Sequence, residues 1–208
     1  MDEVFFMKKV IAFISDGDAF RRVFSIALKC LAVLLLVAAL VAWIGVWTNL
    51  SGGAPAAAIL GTIIFQMIFV VTVYCVFHTI WMRANHIMEL TDSEFVVIRV
   101  FSVFARMVGE VWASVLVGIG VAGGILLWFV GPELYYVIQR SLPIPGGGYV
   151  PDSEHVFLAG LLIIVVNSIL SIFVLGVFYL ISELLRVCRD VAINTKGLKT
   201  ATPPAQPL

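Results

Sequence analysis

The chain has 208 residues, of which 62% are hydrophobic and 12% charged, with 13 Lys+Arg against 13 Asp+Glu and a mean hydropathy of +1.09. An ordinary soluble domain carries about 25% charged residues, so a water-facing surface of this size is excluded and the chain reads as an integral membrane protein. The balanced charge leaves no electrostatic footprint for nucleic acid.

At the start of the chain, Val4, Met7, Ile11 and Ile14 recur on one helical stripe, broadened by Phe5, Phe6 and Phe13, with Lys8 opposite. This pattern predicts an amphipathic helix over residues 1–17 lying in the inner membrane interface. No small-residue cleavage site follows it, so the segment is expected to be retained.

Crossing a bilayer core takes about 20 mostly apolar residues in a helix, and four stretches qualify: residues 23–47, 56–81, 111–130 and 156–185. They group as a first hairpin over 18–90 and a second over 91–190, joined by turn-forming sequence. The first connection, at 49–55, is Asn-Leu-Ser-Gly-Gly-Ala-Pro. In the second, Thr91 and Glu94 have capping-box spacing, which starts the third helix near residue 92. From there to Val130 the helix would be about 58 Å long, so it either projects from the membrane or bends near Gly109. The outer loop at 131–155 is longer than the first and carries a possible short interfacial helix at 133–140, with Tyr135 and Tyr136 at headgroup level. Three glycines at 146–148 lie between prolines and suit a hinge. Residues 191–208 are expected to form a polar tail.

Orientation follows from Lys and Arg in short connections. Twelve of the thirteen basic residues fall on one side, Arg140 being the exception. Both termini are therefore expected in the cytoplasm, and a bacterial inner membrane fits the pattern.

The octapeptide at 22–29, Arg-Val-Phe-Ser-Ile-Ala-Leu-Lys, is echoed at 99–106 as Arg-Val-Phe-Ser-Val-Phe-Ala-Arg. Further on, Gln66 aligns with Asn167 and Ile80 with Ile181 once the longer outer loop is allowed for. These echoes suggest a tandem duplication of one hairpin, with a relating axis normal to the membrane. Arg22, Ser25 and Lys29, and likewise Arg99, Ser102, Arg106 and Glu110, would draw a narrow polar stripe on each helix, forming a cytoplasmic basic stripe. Glu183, Arg186 and Asp190 on the fourth helix, and Arg83, His86 and Glu89 after the second span, add mixed-charge helix extensions. Such charges ordinarily mark solvated faces and snorkelling side chains. A protein-docking surface is the functional alternative.

Polar groups inside a membrane are costly and are candidates for function. Gln66 and Asn167 lie at similar depth and are predicted to hydrogen-bond across the bundle, joining the second and fourth helices, with Ser171 nearby. Ser114, Gly118 and Ala122 recur every four residues, and Gly120 with Gly124 forms a GxxxG on a neighbouring face. Small residues allow close backbone approach, which places the third helix at the bundle centre or an oligomer contact. His78, His86 and His155 are not spaced to ligate a shared haem, and Cys30, Cys75 and Cys188 have no metal or disulfide spacing. No cofactor is expected. Phosphate loops, zincin motifs, nucleophile elbows and intramembrane carboxylate pairs are absent from the sequence.

The expected fold is an all-α, four-transmembrane-helix bundle of two tandem hairpins. The expected role is a non-catalytic accessory or scaffold subunit, partnered by lipid and by other membrane subunits or copies of itself. The alternative is a small homo-oligomeric channel or transporter lined by Gln66, Thr72, Asn167, Ser168 and Ser171.

Overall fold

The computed structural model describes residues 17–50, 55–90, 95–141 and 155–201. Four helices cover nearly all of them: α1 (Gly17–Leu50), α2 (Ala56–Met88), α3 (Val96–Ser141) and α4 (Val156–Ala201). Each contains a segment long and apolar enough to cross a membrane, and no strand occurs among the described residues. The protein is a four-helix membrane bundle. In lipid every backbone N–H and C=O must find a partner within the chain, and a helix meets that demand locally. The expected interfacial helix at the N-terminus, the Thr91–Glu94 pair and the glycines at 146–148 lie outside the described residues.

The helices pack as an open bundle around α3. Helix α2 and helix α4 each run along α3, α1 sits against α2 and α3, and contact of α4 with α1 or α2 is marginal. Neighbouring helices are antiparallel, and side-chain pairs trace the register. Ser25 meets Ala84 and Gln66 meets Trp43 between α1 and α2. Between α3 and α4, Ser102 meets Ser182 and Trp128 meets Phe157. The α1–α3 contact is parallel, with Phe24 against Phe101 and Phe104 at ring separations of 6.1 and 5.5 Å.

Two apolar clusters fill the interior. One gathers Leu28, Ala32, Ile80, Ala84, Ile87, Val100, Val103 and Met107 from α1, α2 and α3 near the basic end. The other joins all four helices near the far end through Val46, Phe65, Ala122, Leu126, Leu127 and Ala159. The outer helices bury little: 11% of the most apolar window of α1 and of α4 is inside the chain, against 39% for α3. Lipid covers the rest, which is why Leu34, Met67, Ile172 and Phe173 stand exposed.

Three boundaries differ from the sequence expectation. Helix α3 starts at Val96, not near residue 92, because Phe95 takes φ of 63° and Ile98 N–H bonds back to its carbonyl at 3.1 Å. A left-handed residue cannot sit inside a right-handed helix. The backbone stays helical through Gly109. The break lies at Gly131, with φ 73° and ψ 173°, followed by Pro132, after which helical backbone resumes to Ser141. Helix α4 continues past Asp190 to Ala201, so residues 191–201 extend the rod and are not tail. Thr195 sits within this extension and donates its hydroxyl to the Val191 carbonyl at 2.8 Å, its polar demand met by the helix itself.

Candidate functional site

The expected hydrogen bond between Gln66 and Asn167 is not formed. Gln66 donates from Nε2 to the Trp43 carbonyl on α1 at 3.1 Å, and its Oε1 is buried without a partner among the described residues. Asn167 donates to the Ile163 carbonyl of its own helix at 2.8 Å and packs against Gly120 of α3. Each side chain points at a different neighbour. The other candidate lining residues are likewise turned to helix backbone: Thr72 donates to the Ile68 carbonyl and Ser168 to the Ile164 carbonyl. Ser171 is buried at 5% exposure.

The small residues of α3 divide between two contacts. Gly118 lies against Thr72, and Ala122 joins the cluster of Val46 and Phe65, so this face receives α1 and α2. Ser114, one turn above, donates to its own helix at the Glu110 carbonyl, 2.8 Å away. Gly120 and Gly124 receive α4: a Cβ on Gly120 would fall 2.5 Å from the Asn167 Cβ, and one on Gly124 would fall 2.6 Å from the Gly160 carbonyl oxygen. No side chain larger than hydrogen fits there.

At the basic end a layer of polar side chains ties three helices together. Glu110 of α3 sits at its centre. Its Oε2 accepts from Arg83 Nε of α2 at 2.9 Å, and its Oε1 accepts from Arg83 Nη2 and from the Tyr179 hydroxyl of α4, the latter at 2.9 Å. This is a two-pronged guanidinium–carboxylate pair, with the Arg83 and Glu110 side chains 17% and 19% exposed. One turn along α3, Arg106 lies over the Tyr179 ring at 5.1 Å, donates to the Ser182 hydroxyl at 2.9 Å and pairs with Glu183. Ser182 and Ser102 are both buried, and their hydroxyls are 2.8 Å apart. Ser102 donates to the Ser182 carbonyl at 3.2 Å, so the Ser182 hydroxyl donates to Ser102 while accepting from Arg106. Each hydroxyl then has one donor role and one acceptor role filled.

Of the basic stripe predicted for α1, Arg22 falls off the packed face while Ser25 and Lys29 stay on it. Arg21, 5% exposed, turns inward and pairs with Asp18, while Arg22 faces outward. Lys29 lies over the Trp81 ring at 5.3 Å, and Ser25 donates to the Ala84 carbonyl at 2.8 Å. Arg99 and Arg106 of the second stripe stay with the bundle, both half-buried. Tyr179 and Ser182 were not singled out by sequence, since a lone phenol and a serine on an apolar helix carry no motif. The signal that could have found them was Glu110: a carboxylate at the edge of an apolar run requires partners on other helices.

This layer clamps α2, α3 and α4 in one register. Both Glu110 oxygens are held, and the Arg83 and Arg106 guanidiniums are engaged, so the chemistry of the arrangement is that of a lock. Among the described residues no three His, Cys, Asp or Glu side chains converge as metal ligands do. Compared with protein families, with curated proteins and with solved structures, the chain matches none.

Proposed function

We propose that the chain is a non-catalytic accessory or scaffold subunit of a larger membrane complex, with its basic end in the cytoplasm of a bacterial inner membrane. The observation that carries this reading is the length of α4. Register along the α3–α4 contact brings Arg99 level with Arg189 and Asp190, which line one pocket with it. Helix α4 nevertheless runs on to Ala201, about three turns past Asp190. A helical segment this short draws little stability from its own backbone and becomes useful when something docks on it. The polar groups of the spans also support the reading, because most are committed to helix backbone or to the clamp. The similarity of the two octapeptides has a structural echo. Phe24 and Phe101, at equivalent positions, touch, and Ser25 and Ser102 each bond a carbonyl of the next helix. Both observations support a duplicated hairpin.

The test is extraction of the protein from its native membrane into lipid nanodiscs at natural abundance, followed by mass and composition of the particle. A foreign protein in fixed stoichiometry is expected, and its loss when the chain is ended after Asp190, with the thermal transition of the remaining bundle unchanged. A pure homo-oligomer that conducts ions or small solutes on reconstitution would overturn the scaffold reading in favour of a channel.

A further inference from the structure

Where α2, α3 and α4 meet at the basic end they line an open cleft of about 290 Å³, a feature independent of the scaffold proposal. Its polar lining is His86 from α2, Arg99 and Ser102 from α3, and Arg186, Arg189 and Asp190 from α4. Three arginines thus line one space with, among the described residues, a single carboxylate. That carboxylate does not consume the two arginines of α4. The Arg189–Asp190 approach is 3.9 Å, beyond hydrogen-bond range, and Arg186 reaches Glu183 at 3.4 Å. Arg189 Nε is buried and has no hydrogen-bond partner among the described residues, an arrangement that is costly unless an acceptor is supplied. The clamp around Glu110 and Arg106 lies deeper along the same helices and holds these elements in place beneath the pocket.

On α2 and α4 the lining residues sit just past the apolar runs, His86 soon after Trp81 and Arg186 directly after the run that ends at Leu185. That is the depth at which lipid phosphates lie. Guanidinium groups present paired N–H donors in a plane, a geometry that matches the oxygens of a phosphate. A volume of about 290 Å³ stands at the lower edge of small-molecule sites, enough for a phosphate with its glycerol ester. Basic pockets between membrane helices recognise anionic headgroups by this same combination of charge and depth.

We propose that this pocket binds a phosphate-bearing anion, supplied as the headgroup of an anionic phospholipid or as a free phosphate. Arg186 and Arg189 of α4 provide the donors, and Arg99 and Ser102 of α3 line the same space.

The experiment uses the full chain, delipidated in a mild detergent and titrated with dioctanoyl phosphatidylglycerol, with dioctanoyl phosphatidylcholine and with inorganic phosphate. Adducts are counted by native mass spectrometry, and the thermal transition is followed in parallel. Phosphatidylglycerol is expected to be retained at concentrations about tenfold below phosphatidylcholine. Arg186→Gln and Arg189→Gln should each weaken that retention about tenfold, and Arg22→Gln, exposed on α1, should leave it unchanged. If inorganic phosphate alone binds, raises the thermal transition and loses both effects in the same variants, the phosphate source is soluble. If phosphatidylglycerol binds and phosphate does not compete, the source is the lipid. Equal retention of the two lipids with no phosphate binding, or full retention in Arg186→Gln and Arg189→Gln, overturns the proposal. Arg186 is half exposed at 47%, so its substitution keeps the test valid even if Arg189→Gln fails to fold.

Discussion

Glu110 is the residue on which most of the polar layer depends. It holds Arg83 with both oxygens and Tyr179 with one, so neutralising it strands a guanidinium that is 17% exposed. A double-mutant cycle of Glu110→Gln and Arg83→Gln, read by thermal unfolding in detergent, should return a coupling of about 1–3 kcal/mol. The same cycle on Glu183 and Arg186, 54% and 47% exposed, should return less than about 1 kcal/mol. Equal couplings would show that the clamp is ordinary surface electrostatics. Sequence revealed Glu110 as a polar position but not its partners, because the partner of a helical side chain is fixed by rotation about the helix axis as well as by depth. Gln66 and Asn167 illustrate the same limit: one faces α1 and the other α3. Arg21 and Arg22 are adjacent in the sequence and end on opposite sides of that rotation.

Among the elements, α3 does the joining, and its glycines set how closely α4 approaches. Gly120→Val places branched carbons into the Asn167 Cβ and is expected to lower the thermal transition, costing about 1–3 kcal/mol through overpacking. Gly176→Ala is the matched control. It meets nothing within 4 Å, so its effect should stay within about 1 kcal/mol and in the stabilising direction. A Gly120→Val protein as stable as the control would mean that α4 does not pack as described. The four spans and the small-residue faces of α3 were legible because length and apolarity are local properties. Helix ends were less so. The capping-box spacing at Thr91 and Glu94 pointed to a start that Phe95, in the left-handed region, does not allow. The polar composition after Asp190 suggested a tail where the helix goes on to Ala201.

For the whole molecule, the three cysteines offer a direct reading of how it sits in the membrane. All are unpaired and exposed, but Cys30 and Cys75 face outward from apolar spans while Cys188 lies past the apolar run of α4. Thiolate chemistry needs water. A membrane-impermeant maleimide should therefore label Cys188 in inside-out vesicles, leave it untouched in intact cells and spare Cys30 and Cys75 in both. Labelling of Cys188 from outside the cell would reverse the orientation inferred from the basic residues. The distribution of charge along the sequence was the most legible global feature, since it depends on counts. The openness of the bundle was not, since nothing in four apolar segments says which pairs touch.

The order of residues in the clamp also bears on how the protein is made. Arg83 leaves the ribosome before Glu110, so that carboxylate has its counter-ion as soon as the third helix enters the bilayer. Arg106 and Ser102 are different: their partners, Ser182 and Glu183, are translated last. A nascent chain of three helices is thus settled at one polar position and unsettled one turn away. Arrival of α4 relieves that position in a single register, giving the final helix an address and an incomplete chain a mark by which it differs from the finished one.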